Sequence, residues 1–167
     1  LVGTRSSADF SESVRRLRTN LMLAAARRGA KTIAVTSTSP QEGKTVVACN
    51  LALALAQADR HVLLVDADMR RPQVHEVFGI RQHPGLSEVL ASRTQAAQSI
   101  CRGVERGLDV LTAGELPPSP AELLMLPFFR ELMETAGTEY DFVIVDCPPV
   151  MAVTDATLVA ADVAGVV

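Results

Sequence analysis

Residues 31 to 58 read KTIAVTSTSPQEGKTVVACNLALALAQA, an apolar strand followed by a short polar loop and a helix. Thr32, Ile33 and Val35 are β-branched and suit a strand, the Ser, Thr, Pro and Gly that follow suit a turn, and the apolar run after Gly43-Lys44-Thr45 suits a helix. A phosphate-binding loop needs this context, because the first amides of a helix have no partner within it and carry partial positive charge. In that geometry the loop from Pro40 through Gln41, Glu42, Gly43, Lys44 and Thr45 to Val46 would wrap phosphate oxygens, with the amides of Gln41, Glu42 and Gly43 directed inward. Lys44 would reach the terminal phosphates, and Thr45 would place its hydroxyl on magnesium, a hard cation that takes oxygen ligands. One position departs from the pattern GxxxxGK[ST]: its first glycine would fall at 38, where Thr38 stands. Taken alone, the stretch also fits an ordinary strand, turn and helix.

The rest of the chain narrows the choice. Its 167 residues, 48% apolar and 21% charged, amount to one domain able to bury a core, and they exclude disordered and collagen-like classes. The net charge of −3 is unevenly spread: residues 1 to 31 hold seven Arg and Lys against two acids, leaving the remainder near −8. Such a basic arm on an acidic body suits an acidic partner surface or a nearby anionic membrane better than specific nucleic-acid reading; a solvated helix face is the plainer alternative. Cys49, Cys101 and Cys147 are odd in number and lack CxxC spacing, which fits a reducing cytoplasm. No apolar run is long enough to span a bilayer, and no signal peptide is visible. Because the sequence starts at Leu1 and stops within the apolar run Val163 to Val167, it reads as part of a longer protein whose membrane-spanning portion could lie elsewhere.

Periodicity predicts a helix over 9–28, capped by Asp9 or Ser11, with Val14, Leu17 and Leu21 on its buried stripe. Strands are expected at 32–36, 61–65, 108–112, 141–145 and 163–167, and helices at 45–58, 121–136 and 154–160, with Pro127 starting a second segment. Between 73 and 107 only short helical pieces near 74–78 and 86–91 stand out. Alternating strands and helices imply crossover connections, hence an α/β fold with a mostly parallel sheet flanked by helices. Three strands then end in Gly43-Lys44-Thr45, in Asp66-Ala67-Asp68, and in Asp146, and a parallel sheet brings all three carboxyl ends to one edge. Lys44, Asp66, Asp68 and Asp146 are thus the candidate catalytic residues, and Thr45, Asp66, Asp68 and Asp146 the candidate magnesium set. Phosphoryl transfer needs cationic charge on the phosphates, carboxylates that hold magnesium through its waters, and a group that positions the nucleophile. Singly, each aspartate has the alternative of a turn or helix-cap residue after a strand, but that alternative would have to hold three times over. Only Lys31 and Lys44 are lysines among sixteen basic residues, and a slim ammonium fits between phosphate oxygens where a planar guanidinium does not.

These motifs resemble the cytoplasmic kinase domain of bacterial tyrosine kinases, the BY-kinase family of capsule and exopolysaccharide systems, similar in fold to the MinD/ParA group of P-loop ATPases. The resemblance rests on Glu12, Arg15 and Arg18 as ExxRxxR, SPQEGKT as Walker A, LLVDADMR with Asp66, Asp68 and Arg70 as Walker A′, and FVIVDCPP with Asp146 and Pro149 as Walker B. GLSEVL at 85–90 and GELPPSPAELL at 114–124 resemble further family stretches, the second with Ser119 where Asn is usual. It implies a three-layer P-loop domain over 31–167, incomplete at its C-terminus, preceded by a basic helix over 1–30 that joins subunits in a ring through Glu12, Arg15 and Arg18. It also implies ATP and Mg2+ as cofactors, tyrosine autophosphorylation that regulates polysaccharide polymerisation and export, and a membrane adaptor in the same or a separate chain. The place would be the cytoplasmic face of the cell membrane. Asp66 and Asp68 would position magnesium and the attacking hydroxyl, and Asp146 a metal-bound water.

The family carries its acceptors in a tyrosine-rich tail, whereas Tyr140 is the single tyrosine here and is expected to be a packing residue at a strand entrance. Two other readings stay open: a MinD/ParA-like ATPase switch, although the second lysine usual near that loop's start is absent from 36–40, and a nucleotide-binding assembly module without kinase activity. Cys147 beside Asp146 reads as a small buried residue or as a redox-sensitive thiol.

Overall fold

In the computed structural model, which describes residues 8–167, six strands form one sheet in the order β3-β4-β2-β5-β1-β6. The inner strands are β1 (Thr32–Val35), β2 (Val62–Asp66), β4 (Leu108–Leu111) and β5 (Phe142–Asp146); β2, β4 and β5 are buried along their full length, as an apolar run covered on both faces must be. β6 (Gly165–Val166) lies parallel to β1. Only β3 (Cys101–Glu105) runs antiparallel, as the edge partner of β4.

Side chains alternate across the sheet and so fill two cores. Ile33, Val35, Leu64 and Ile144 face α1 (Ala8–Arg28) and α2 (Lys44–Ala56), with Leu21, Leu51 and Leu55 packed on them. Ala34, Leu63, Val65 and Val145 face the opposite layer, which contains α4 (Leu86–Leu90), α6 (Pro120–Leu124), α7 (Pro127–Glu139) and α8 (Asp155–Ala161). The short α3 (Val74–Phe78) and α5 (Ala96–Ser99) fill connections. This is the expected three-layer α/β arrangement. Val14 and Leu21 are buried and Leu17 packs beside them, as the stripe on the first helix requires. That helix extends to Ala8, so Asp9 and Ser11 lie within it rather than capping it, and residues 1–7 of the expected basic segment lie outside the described residues. Pro127 does open a separate helix.

Sequence reading missed α5 and β3. The strand CRGVE has charged and exposed positions and no alternation of apolar residues, because it is an edge strand covered on one side only. The connection it belongs to is held by a second device. Glu88 of α4 accepts the amides of Gly85 (2.8 Å) and Glu115 (3.1 Å) and the Ser87 hydroxyl (3.0 Å). Leu86 and Ser87 in turn donate to the carbonyls of Thr112 and Ala113 at 2.7 and 2.9 Å. Gly114, at φ 85°, lies so close that a β-carbon there would overlap the Glu88 carboxylate. These amides hold the Glu88 carboxyl below its usual range against the opposing effect of burial. Among the described residues no helix is long and apolar enough to cross a membrane.

Candidate active site

Strand register decides which groups meet at the carboxyl edge. Asp146 ends β5 between two neighbours, opposite Val35 of β1 on one side and Asp66 of β2 on the other. The chain leaving β1 turns through 36–43 into α2. Its tightest points are Gln41 and Gly43, at φ of 66° and 85°. No atom crowds Gly43, so it is the backbone conformation that calls for glycine there. Thr38 is exposed and is not among the residues of positive φ, so nothing at that position requires a glycine. Glu42 folds back to accept the Ser39 amide at 3.0 Å, which shapes the loop from its outer side.

Lys44 leads α2 into the site. Its ammonium contacts Asp68 Oδ2 at 2.8 Å and Thr45 Oγ1 at 3.3 Å, and the Lys44 and Asp68 side chains are 11% and 5% exposed. Burial alone would lower the Lys44 pKa, but Asp146, Asp68 and Asp66 together outweigh it and raise it. Asp68 also accepts the Arg71 amide at 3.0 Å. Asp66 accepts two amides, from Asp68 and from Val74, both at 3.1 Å, so it ties the turn after β2 to the start of α3. Burial, with Asp146 beside it, pushes the Asp66 carboxyl up to about 8. Burial pushes Asp146 up to about 6, with the Lys44 charge and the nearby Thr45 hydroxyl opposing.

Asp146 differs from the other two acids: both of its carboxylate oxygens are buried and neither has a hydrogen-bond partner. A buried carboxylate left in this condition is costly unless a cation or its waters complete it. The donor set is oxygen only, Thr45 Oγ1 and the carboxylates, which suits magnesium. No group of three or more His, Cys, Asp or Glu among the described residues is arranged as a protein cage for a metal. A cation here would therefore draw on phosphate oxygens and water as well, the usual manner of magnesium. A cleft of about 340 Å3 opens beside these groups, lined by Pro40, Gln41, Lys44, Asp68, Arg70 and Pro148 among others. A second cavity, about 400 Å3 beside the 115–119 loop and α6, holds none of them.

Lys44, Thr45, Asp66, Asp68 and Asp146 are thus brought together as expected from sequence, and Val46 stands half exposed in the first turn of α2. The three residues expected at a subunit contact do not share one environment. Glu12 and Arg15 are exposed and 3.6 Å apart, and Glu12 also meets Arg16 at 3.7 Å, a partner the sequence reading did not single out. Arg18 leans inward, donating to the Ala54 carbonyl at 3.4 Å, and its Nε is buried without a partner. Cys147 is fully buried and its thiol donates to the Val145 carbonyl at 3.6 Å; burial and the neighbouring carboxylates raise its pKa, which makes it a packing residue rather than a reactive thiol. Sequence reading also missed Asp155, which pairs with Arg70 at 2.8 Å.

Comparison with known proteins agrees with this geometry. The AAA_31 family model, an AAA domain, matches residues 30–167. Tyrosine-protein kinase YwqD of Bacillus subtilis is 44% identical over 148 residues, which cover 89% of this chain and 62% of YwqD. The solved kinase domain of the Escherichia coli tyrosine kinase ETK matches with a TM-score of 0.90 at 42% identity, over 93% of this chain and 61% of that one. The chain therefore spans about three fifths of the length of each. The septum site-determining protein MinD from Pyrococcus horikoshii, solved as a complex with Mg-ADP, matches with a TM-score of 0.71 at 24% identity, over 81% of this chain and 56% of that one, and shares the fold. With an AAA domain over most of its length, the Walker residues gathered at one sheet edge and relatives named as tyrosine kinases, the chain belongs to the bacterial tyrosine kinase family of MinD-like P-loop proteins.

Proposed function

We propose that this domain is the catalytic part of a magnesium- and ATP-dependent protein-tyrosine kinase, whose autophosphorylation regulates polysaccharide polymerisation and export. One observation supports the reading above others: Asp146, buried with two unpartnered oxygens, stands beside Lys44, Thr45 and Asp68 at the mouth of a phosphate-loop helix. Magnesium bound there would draw charge from the transferring phosphoryl group. The amides of 41–46 would hold the phosphates, and Thr45 and Asp146 the metal and its waters. Lys44 would exchange its 2.8 Å contact with Asp68 for phosphate oxygens. Asp68 Oδ2, so released, is then free to accept the proton of an incoming tyrosine hydroxyl. Asp66 holds the turn that carries Asp68, through its two amide bonds.

The acceptor lies on another segment or another copy, since Tyr140 is 2% exposed and its hydroxyl donates to Asp109 at 2.9 Å. Assembly into a ring through Glu12, Arg15 and Arg18, with a membrane adaptor at the inner face of the membrane, completes the proposal. The test is incubation of the full-length protein with magnesium-ATP and detection of phosphotyrosine. The expected result is a signal in the wild type that is lost in Lys44→Met. An undiminished Lys44→Met signal, or none in the wild type, overturns it. The same burial of Tyr140 favours one second reading, an assembly module that binds nucleotide without transferring phosphate, recognised by nucleotide-dependent oligomers that never acquire phosphotyrosine.

A further inference from the structure

Arg70 and Asp155 take no part in the phosphate chemistry above, yet they make a two-point contact between the loop after β2 and the start of α8, two segments that lead away from the cleft's lining. Arg70 Nε donates to Asp155 Oδ2 at 2.8 Å and its NH2 group donates to Oδ1 at 3.0 Å. The Asp155 side chain is 0% exposed and that of Arg70 is 42% exposed, so a buried carboxylate is held by a guanidinium that reaches in from the cleft. Arg70 belongs to the loop after β2, which supplies Asp68, Arg71 and Gln73 to one wall; Asp155 follows the segment after β5, which supplies Pro148, Ala152 and Val153 to the other. At its base the two walls are joined by the Ala67 amide donating to the Asp146 carbonyl at 2.8 Å. The Arg70–Asp155 pair is a second joint farther along both loops. Removing either partner would leave the other without its counter-charge, and at Asp155 that means an uncompensated buried carboxylate, so the pair is strongly imposed. A guanidinium bonded through two nitrogens fixes direction as well as distance, which an ammonium cannot do. Neither residue forms a hydrogen bond or ion pair with the 36–46 loop that would hold the phosphates.

We infer that the Arg70–Asp155 clamp is a positioning device for the acceptor: it sets the width of the cleft so that a tyrosine side chain entering it is held against Asp68. The inference rests on the kinase reading. It assigns the clamp to tyrosine binding and not to nucleotide binding. The turn from 66 to 71 links the clamp to the chemistry, since Arg71, next to Arg70, donates its amide to Asp68 Oδ1 at 3.0 Å. Loosening the clamp therefore loosens the carboxylate that meets the tyrosine, while Lys44, Thr45 and Asp146 stay in place on α2 and β5.

The test compares full-length wild type with Arg70→Lys, Asp155→Asn and the double variant, using a glutamate–tyrosine copolymer as acceptor and a fluorescent ADP to follow nucleotide binding. Each single variant is expected to lose about tenfold in kcat/KM for the copolymer, the scale of a small misplacement at a reacting centre. ADP affinity and the KM for ATP should stay within about twofold, because the phosphate loop is not part of the clamp. The double variant should be no worse than either single one, since both break the same contact. Unchanged copolymer kinetics, multiplying losses in the double variant, or ADP binding that falls in step with copolymer use would each overturn the clamp. Retained ADP binding certifies that a variant is folded, and Arg70→Lys, exposed in part, stands in if Asp155→Asn fails to fold. Wild type that binds ADP but transfers no phosphate to tyrosine overturns the kinase reading and the clamp with it. Active wild type with unaffected variants overturns the clamp alone.

Discussion

Asp109, near the amino end of β4, and Asp146, at the carboxyl end of β5, are both removed from solvent, at 6% and 0% exposed, but their surroundings are opposite. Asp109 accepts the Gly103 amide at 2.8 Å and the Tyr140 hydroxyl at 2.9 Å, and His61 and Arg102 stand 3.5 and 3.6 Å away. His61 stacks on Tyr140 with ring centroids 4.4 Å apart, which closes the cluster from outside. The Asp146 carboxylate accepts no hydrogen bond, and only the Lys44 charge and the Thr45 hydroxyl stand near it to favour its charged form. A carboxylate whose oxygens are all spoken for by its own chain holds the fold together. One kept buried with empty oxygens costs stability and makes sense as half of a site that something else completes. The distinction separates structure from function here better than depth of burial does.

Lys44→Met strikes the functional end hardest. Phosphotyrosine formation is expected to fall by about 10²–10³-fold, the usual loss for a charge aimed at a transferring group; comparable kinetics would remove the functional end of the contrast. Asp109→Ala strikes the structural end. It should cost roughly 2–4 kcal/mol in urea unfolding by stranding the Tyr140 hydroxyl and the Gly103 amide, with nucleotide affinity of the folded protein preserved.

Asp146→Asn should do the reverse of Asp109→Ala, raising nucleotide-free stability at pH 8 by about 1–3 kcal/mol and abolishing magnesium-dependent tightening of nucleotide binding. The same physics gives a pH dependence. Asp66 and Asp146 hold protons in the folded state up to about 8 and about 6, whereas unfolded aspartate releases its proton near ~3.9. The native state then binds more protons between those limits, so the contribution of these two groups is fully present below about pH 4 and is lost as pH rises towards 8. Thermal melts of the nucleotide-free protein across that window should show the decline, flattened in Asp146→Asn; a rise instead would reverse the assignment of strain to this edge.

Tyr140→Phe is a smaller probe, about 1 kcal/mol for one hydroxyl bond, and autophosphorylation should be unchanged. Loss of the phosphotyrosine signal in that variant would make Tyr140 the acceptor and move Asp109 from the structural to the functional side. Smallest is Glu12→Ala with Arg15→Ala, expected to shift monomer stability by no more than ~0.5 kcal/mol. Sedimentation should nevertheless show weaker assembly; unaltered assembly would leave the two residues as an exposed ion pair and no more.

Much of this was legible in sequence for physical reasons. Strands buried on both faces carry unbroken apolar runs such as VLLVD and FVIVD, and each ends in an acid at the crevice. The charged edge strand β3 gives no such signal. Arg70 and Asp155 are 85 residues apart, and no local pattern announces their meeting. The inward lean of Arg18 is hidden in the same way: ExxRxxR spacing places its members along one side of a helix but does not say which of them a neighbouring helix will claim. That Asp146 is the acid with empty oxygens could not be read either, because Asp66 and Asp146 both end a buried strand and differ only in the amides that reach them.

The Glu88 staple bears on how such domains can change over time. GLSEVL and GELPPSPAELL look like separate signatures, but one contributes a buried carboxylate and the other an amide and the glycine that makes room for it. A recombination that exchanged one stretch between relatives and left its counterpart behind would strand the acid or crowd it with a side chain. The two stretches should therefore travel as a linked pair, and a designer grafting the loop onto another scaffold would have to carry the short helix along with it.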